Sequence, residues 1–220
     1  GMSQSALTYD WYANNVSIAT GNTYLLTQTQ VNQRINVVAH YTDFFNVIES
    51  VSSALSTAVV NLNDSPTGVV TLAGTLREGQ TLTASNTLTD TDLIGQGNSS
   101  GSAATVTYTW QRFDPINGAV SIGTGDQFTL RQSEVNKAIK VIANYSDTFG
   151  QIETLASTLS TLVANVNNAP TGSLTLTGIL RQYETLTVSQ GLSDLDSPSG
   201  ISNVSCLWKA GSVLMGTGDS

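Results

Sequence analysis

The chain has 220 residues, which is enough for one or two domains of ordinary size with a sizeable hydrophobic core. Hydrophobic residues make up 40% of it, which excludes disorder, while charged residues make up only 11% and the net charge is −8. Binding phosphate groups needs clustered Lys and Arg, and Lys137 and Lys140 are the only close lysine pair, so the sequence predicts no nucleic-acid partner.

Cysteine usage and hydropathy narrow the class further. Cys206 is the sole cysteine, so no intrachain disulfide can form. No apolar run approaches the roughly 20 residues that a membrane-spanning helix needs, and we therefore expect no membrane insertion.

The first predicted element is the strand Leu7-Thr8-Tyr9-Asp10-Trp11, and its pattern recurs at residues 106–110 and 204–208. Side chains alternate between the two faces of a strand, so residues two apart, such as Tyr108 and Trp110, share one face. We expect this face to be buried in all three copies, which would bring each indole to the same depth. Three copies of one core strand indicate a repeat protein.

The repeat has a measurable period, because residues 20–92 realign on residues 124–196 at a constant offset of 104. The matched pairs are Gly21 with Gly125, Val31 with Val135, Tyr41 with Tyr145, Pro66 with Pro170, Gly74 with Gly178 and Asp92 with Asp196. Upstream, the offset from Trp11 to Trp110 is 99, so the second copy has five extra residues within 113–118. There Asn117-Gly118 is typical of a type I′ hairpin turn, and Asn14-Asn15 and Gly211 lie at the corresponding turns.

One full period, read from Asn63, predicts seven short strands. They lie at residues 68–72, 80–84, 106–111, 119–122, 127–130, 139–145 and 152–162. In the sixth strand the inward positions are Ile139, Val141, Ala143 and Tyr145, and the first copy repeats them as Ile35, Val37, Ala39 and Tyr41. Seven short strands with a buried Trp on the third are typical of an immunoglobulin-like sandwich. The predicted fold is all-β: tandem immunoglobulin-like (Greek-key) β-sandwich repeats, one complete and two partial.

Several short segments also resemble a known family of repeats. The junctions Asn63-Asp64-Ser65-Pro66-Thr67-Gly68 and Asn167-Asn168-Ala169-Pro170-Thr171-Gly172 look like those of bacterial Ig-like or cadherin-like repeats. Glu78-Gly79-Gln80-Thr81-Leu82, Tyr108-Thr109-Trp110 and Val135-Asn136-Lys137-Ala138-Ile139 are similar to the internal signatures of those repeats. The resemblance covers the chain after residue 5. It implies large secreted or cell-surface proteins, including adhesins exported by type I systems, with a secretion signal outside these residues.

The junctions predict how the chain divides. In such a sandwich the chain enters at one end and leaves at the other, so we place one whole repeat at residues 63–166. Residues 5–62 are then the C-terminal half of a preceding repeat, and residues 167–220 are the N-terminal half of a following one. Half a sandwich leaves an apolar face bare, so we predict self-association in which the halves are exchanged between molecules, as a closed dimer or as an open chain.

Calcium is the ligand that the composition and the family resemblance favour. Asp90 and Asp92, and at matching positions Asp194 and Asp196, follow the second strand of each period, and the junctions add Asn63, Asp64, Asn167 and Asn168. Calcium takes six to eight hard oxygens from carboxylates, amides and carbonyls, which a junction can gather. Asp and Asn are also ordinary turn formers through local backbone hydrogen bonds, and that alternative stays open.

Other chemistry has less support. His40 and Cys206 are the one pair that suggests a nucleophile and a base, but we expect them on opposite faces of the sheet, so we predict no catalytic residue and no enzyme. The aromatic side chains Tyr12, Phe44, Phe45 and Phe149 could stack on a sugar, although loop aromatics more often close the end of a sandwich.

The expected function is therefore a non-enzymatic stalk, spacer or adhesion module of an extracellular repeat protein. Its partners would be neighbouring copies of itself and a glycan or another cell-surface ligand. The alternative is a carbohydrate-binding module or an accessory domain of a secreted enzyme.

Overall fold

The computed structural model describes residues 7–93 and 105–219, and these residues form an almost entirely β structure. The helical turns among them are three-residue 3₁₀ turns at Gln28–Gln30, Thr91–Leu93 and Gln132–Glu134. The strands are β1 Thr8–Ala13, β2 Val16–Thr20, β3 Ile35–Thr42, β4 Ile48–Ser52, β5 Val70–Ala73, β6 Thr81–Asn86, β7 Thr107–Asp114, β8 Gly118–Thr124, β9 Gln127–Thr129, β10 Ala138–Ser146, β11 Ile152–Ala156, β12 Leu174–Gly178, β13 Leu186–Gln190, β14 Ser205–Ala210 and β15 Val213–Asp219. The all-β prediction is confirmed. Among the described residues no helix is long and apolar enough to cross a membrane.

The central segment, residues 63–166, contains two sheets that enclose one core. The sheets have the strand orders β5-β6-β9 and β11-β10-β7-β8, and each pairs its strands antiparallel. Trp110, Ile139 and Val141 from the larger sheet are fully buried with Leu82 from the smaller one. Phe128 of β9 stacks on the Trp110 ring with the centroids 5.9 Å apart. Alternation along the strands thus buries the face that the sequence pattern predicts.

The seventh strand is shorter than predicted, because serine hydroxyls take over from the backbone ladder. β11 ends at Ala156, and the chain then follows β10 through Ser157 and Ser160. The Ser157 Oγ accepts from the Val141 N–H at 3.1 Å, and the Ser160 Oγ accepts from the Ile139 N–H at 2.8 Å. The predicted strand was therefore too long, because β11 ends at Ala156. The chain beyond it does run alongside β10, as expected.

The first segment, residues 7–62, forms one sheet with the order β2-β1-β3-β4. The Trp11 indole N–H donates to the Gly21 carbonyl at 2.8 Å, and the Trp110 indole N–H donates to the Gly125 carbonyl at the same distance. Trp110 is nevertheless fully buried, whereas Trp11 and Trp208 are partly exposed. The expectation of equal depth for the three indoles is wrong, because the layer that covers Trp110 has no described counterpart over the other two.

The third segment, residues 167–219, contains two hairpins, β12–β13 and β14–β15, which form separate two-stranded sheets. Apolar side chains on both hairpins are exposed, among them Leu174, Leu176, Leu207 and Met215. Cys206 and Trp208 share the less exposed face of β14, as the alternation predicts. The division of the chain at residues 62/63 and 166/167 stays a prediction.

The three tryptophan hairpins share a bulge and differ in their turns. In each one the register shifts directly after the tryptophan, at Trp11, Trp110 and Trp208. Asn14 and Asn15 both have positive φ, as a type I′ turn requires. The type I′ prediction for the central hairpin is wrong: only Gly118 has positive φ there, and the Asp114 carboxylate accepts from the backbone N–H groups of Ile116 and Asn117, which stabilises a longer turn.

Candidate functional site at the segment joints

The first pair of predicted calcium ligands holds the junction backbone. Asp90 and Asp92 follow β6, and the Asp90 Oδ1 accepts from the Asp92 N–H at 2.9 Å, which closes a local turn. Asp92 is fully buried, and its Oδ2 accepts from the backbone N–H of Asp64 at 2.7 Å. The aspartate loop therefore binds the junction to the segment that follows it.

The second pair repeats this geometry at the offset of 104 residues. The Asp194 Oδ1 accepts from the Asp196 N–H at 2.9 Å, and the Asp196 Oδ2 accepts from the backbone N–H of Asn168 at 2.5 Å. The Asn168 N–H bond, followed by the Asn165 side-chain bond, lowers the pKa of Asp196 below its ordinary value. Of the predicted ligands, the structure thus brings Asp92 to Asp64 and Asp196 to Asn168.

At the second joint, side chains of the central segment contact the third segment directly. The Asp196 Oδ1 accepts from the Asn165 Nδ2 at 2.8 Å and from the Gln132 Nε2 at 3.4 Å. The Asn168 Nδ2 donates to the Glu78 carboxylate at 3.2 and 3.4 Å. Gln132, Asn165 and Asp196 line a cleft of about 480 Å³ whose walls come from both segments. The joint is a polar network of amides and carboxylates.

At the first joint the side-chain contact lies inside the central segment, which begins at Asn63. The Asn63 Nδ2 donates to the Glu153 Oε1 of the central segment at 2.7 Å. The Asn61 Oδ1 is buried and has no hydrogen-bond partner within the described ranges. Asn167, which corresponds to Asn63, donates instead to the neighbouring Asn168 carbonyl at 3.3 Å. The two joints therefore share the aspartate–backbone bond and differ in their side-chain contacts.

The carboxylate oxygens of the predicted calcium ligands differ in how many hydrogen bonds they accept. Both Asp196 oxygens and both Asp90 oxygens already accept hydrogen bonds from N–H or O–H groups. The Asp92 Oδ1 is buried and has no partner among the described residues, which makes one oxygen available. Calcium needs six or more oxygens. Within residues 7–93 and 105–219 no group of three or more His, Cys, Asp or Glu side chains is placed to hold a metal, and calcium at the predicted ligands stays a prediction.

A buried tyrosine ties the aspartate loop to the core. The Tyr145 hydroxyl, at the end of β10, donates to the Asp90 Oδ2. Burial first, and then the bond to Asp90, raise the pKa of Tyr145 above its ordinary value. The Thr148 hydroxyl, in the next turn, donates to the Asp92 carbonyl. The loop is therefore fixed both to the junction and to the β10–β11 turn.

Sequence reasoning missed a buried glutamate. Glu134 lies in the 3₁₀ turn Gln132–Glu134 and is buried. Its carboxylate accepts from the Arg131 backbone N–H at 3.0 Å and from the Arg112 guanidinium at 3.1 Å. In the first segment the Gln30 Oε1 accepts in the same way from the Thr27 N–H at 3.1 Å. The spacing of Thr27 and Gln30 matches a capping box, and that signal could have located the turn.

The remaining candidates lie apart from the joints. His40 is on β3 and Cys206 is on β14, in sheets that share no strand. Phe44 and Phe45 are exposed and meet edge to face with their centroids 5.9 Å apart, and Phe149, the counterpart of Phe45, is less exposed. We expected loop aromatics to close the end of the sandwich, and for the exposed Phe44 and Phe45 this expectation is wrong.

Comparison of the chain with protein-family models, with curated proteins and with solved structures gave no match in any of the three.

Proposed function

We propose that the chain is a structural spacer or adhesion module of an extracellular bacterial repeat protein, of the immunoglobulin-like class, with no catalytic role. The observation that carries the proposal is the joint in which Asp196 of the third segment accepts hydrogen bonds from Asn165 and Gln132 of the central segment. A spacer transmits distance and orientation only where neighbouring units are held in one arrangement. Direct bonds across a joint supply that constraint.

The repetition of the joint chemistry supports the same role. The bonds from Asp92 to the Asp64 N–H and from Asp196 to the Asn168 N–H lie 104 residues apart, the period of the strands themselves. The central and third segments therefore each contain an aspartate that holds the junction at the start of that segment. A bond of this kind can recur at every junction, which is what a stalk requires.

The extracellular location and calcium as a ligand are parts of the same proposal. A low content of charge and the resemblance at residues 63–68 and 167–172 support an extracellular repeat protein. Calcium at the joints remains part of the proposal as a rigidifying ion, and the atom that favours it is the Asp92 Oδ1, which is buried and has no hydrogen-bond partner among the described residues.

Electron–electron distance measurements between two spin labels test whether the joint is rigid. Labels attached at Thr71→Cys and Thr175→Cys, in the Cys206→Ser background, occupy equivalent exposed positions on β5 and β12. We expect a narrow distance distribution in the otherwise unchanged chain and a broad one in Asp196→Ala, because that change removes the acceptor for Asn165, Gln132 and the Asn168 N–H. The measurement is made on chains that sediment as monomers.

Glu184→Gln is the matched control, since it removes a carboxylate from an exposed pair with Arg181 in the same segment and away from the joint. It should leave the distribution narrow. Adding calcium, with a chelator as the reference, should narrow the distance distribution further if the ion binds at the Asp196 joint, which the two labels span. A broad distribution in the unmodified chain, or no effect of Asp196→Ala, would count against the spacer proposal.

A further inference from the structure

The first segment forms one layer of a sandwich. Its sheet β2-β1-β3-β4 corresponds strand by strand to β8-β7-β10-β11 of the central segment. In the central segment β5, β6 and β9 cover the inner face of that sheet, and within the described residues nothing equivalent covers the first one. Tyr41 is 40% exposed as a result, whereas its counterpart Tyr145 is 5% exposed.

The third segment contains strands that match the missing layer. The hairpin β12–β13 pairs Leu174 with Gln190 and Leu176 with Val188, the register of β5–β6 moved by 104 residues. Leu174 is 56% exposed, whereas its counterpart Val70 is 6% exposed. A two-stranded hairpin with a bare apolar face is only marginally stable in water, so this hairpin gains most from a sheet to cover.

An unpaired edge in the first segment shows where that hairpin would join. In the central segment β9 pairs with β6, with Leu82 opposite Phe128 and Thr81 opposite Thr129. Tyr24, the counterpart of Phe128, already stacks on Trp11 with the centroids 6.2 Å apart. Yet residues 23–26 form no strand, and Leu26 is 46% exposed where its counterpart Leu130 is 1% exposed. The backbone there lacks the strand that β6 provides in the central segment.

We propose that a second copy of this chain supplies it: β12–β13 of one molecule cover the sheet β2-β1-β3-β4 of another and pair along residues 23–25. The central segment gives the register, with Leu186 opposite Tyr24 and Thr185 opposite Leu25. This goes beyond the proposed function, because it assigns a partner and a residue-by-residue contact. A spacer role and a self-association role can therefore fail separately.

In the proposed assembly the hairpin β14–β15 cannot take the place that its counterpart β7–β8 has in the central segment. It corresponds to β1–β2, which already occupies that place through the pairing of β1 with β3. β14–β15 pairs only with itself in the described structure and is joined to β13 by residues 191–204. Its displacement therefore breaks no described strand pairing. The same exchange closes a dimer when it is reciprocal and builds an open chain when it is not.

Disulfide trapping of the predicted register tests the proposal. The Thr81 and Thr129 hydroxyls lie 2.9 Å apart in the central segment, so cysteines at the corresponding Thr185 and Leu25 should be within bonding reach. Two single-cysteine chains are prepared in the Cys206→Ser background, Leu25→Cys and a mass-tagged Thr185→Cys, and are mixed and oxidised mildly. We expect a mixed dimer as the main covalent product, identified by its mass.

Ser189→Cys replaces Thr185→Cys in the matched control, because its counterpart Ser85 lies outside the register of β6 with β9. Mixed dimers should be at least several-fold rarer with this variant. Equal yields for the two positions would overturn the proposal. So would a chain carrying both Leu25→Cys and Thr185→Cys that forms its disulfide only within one molecule.

Sedimentation velocity of the cysteine-free chain gives an independent measurement. Association should increase with protein concentration and be lost in Val37→Asp and in Leu186→Asp, which place a carboxylate on the two faces that would meet. Leu207→Asp, on the displaced hairpin, should associate as the parent chain does. A parent chain that stays monomeric at every concentration, or a Leu207→Asp variant that loses association as fully as Leu186→Asp, would overturn the proposal.

Discussion

The central and first segments contain the same sheet in two surroundings. β7 and β10 correspond to β1 and β3, and each tryptophan indole N–H donates to a glycine carbonyl at 2.8 Å. Trp110 is fully buried beneath a second sheet, and Trp11 is partly exposed. Strand pairing and turns therefore follow from the local sequence, whereas burial depends on whether a second layer is present.

The largest expected effect on stability comes from replacing Trp110, and Trp11 is the comparison. Trp110→Ala should lower the free energy of unfolding of the central segment by about 3 to 5 kcal/mol, because it leaves a large cavity under β5, β6 and β9. Trp11→Ala should leave that same transition unchanged within about 0.5 kcal/mol. Urea unfolding followed by circular dichroism measures both. Similar losses in the two variants would show that the segments unfold as one unit.

A smaller effect is expected at the buried turn acceptor. Glu134→Ala should cost about 2 kcal/mol, because the Arg131 N–H and the Arg112 guanidinium lose a charged, buried acceptor. Glu134→Gln copies the first segment, where Gln30 accepts from Thr27, and should cost about half as much. Thermal unfolding of both variants tests the order. A Gln variant as unstable as the Ala variant would assign the effect to the Arg112 pair alone.

The smallest effect is a dependence on pH. The Lys137 ammonium 2.7 Å away, and then the N–H groups of Ile116 and Asn117, lower the pKa of Asp114 from 3.8 to about 2. A lowered pKa stabilises the fold above pH 3.8, and that contribution disappears as the pH falls towards 2. The melting temperature of the parent chain should thus fall more over this range than that of Asp114→Asn. An equal fall in melting temperature for the two chains would contradict the assignment of this pH dependence to Asp114.

The sequence predicted the parts of the fold that depend on local pattern. Alternation at Tyr108 and Trp110 gave the buried face, and the offset of 104 residues gave the order in which the strands recur. It did not give the depth of Trp11 or Trp208, because burial depends on strands far away in the chain. The central turn was misread because Asn117-Gly118 was weighed without the Asp114 carboxylate, which accepts from the turn backbone.

At the candidate site, too, the sequence predicted the position of residues better than their contacts. The sequence placed Asp90, Asp92, Asp194 and Asp196 in the loops after the second strand of each period, but residue type alone does not separate a cation ligand from an acceptor of backbone N–H groups. The structure shows the second use at Asp92 and Asp196. Glu134 was missed because an acidic residue in a turn is usually solvated, and its burial depends on Arg112 from a strand remote in sequence.

The bulge beside each tryptophan has a practical consequence for engineering. An extra residue lies opposite the strand directly after Trp11, Trp110 and Trp208, and only beyond that point do the hairpins differ in length. The central hairpin is thus longer than the other two, with the same register at the indole. Its tip, where Ile116 is exposed, is therefore a natural place to graft a peptide for display.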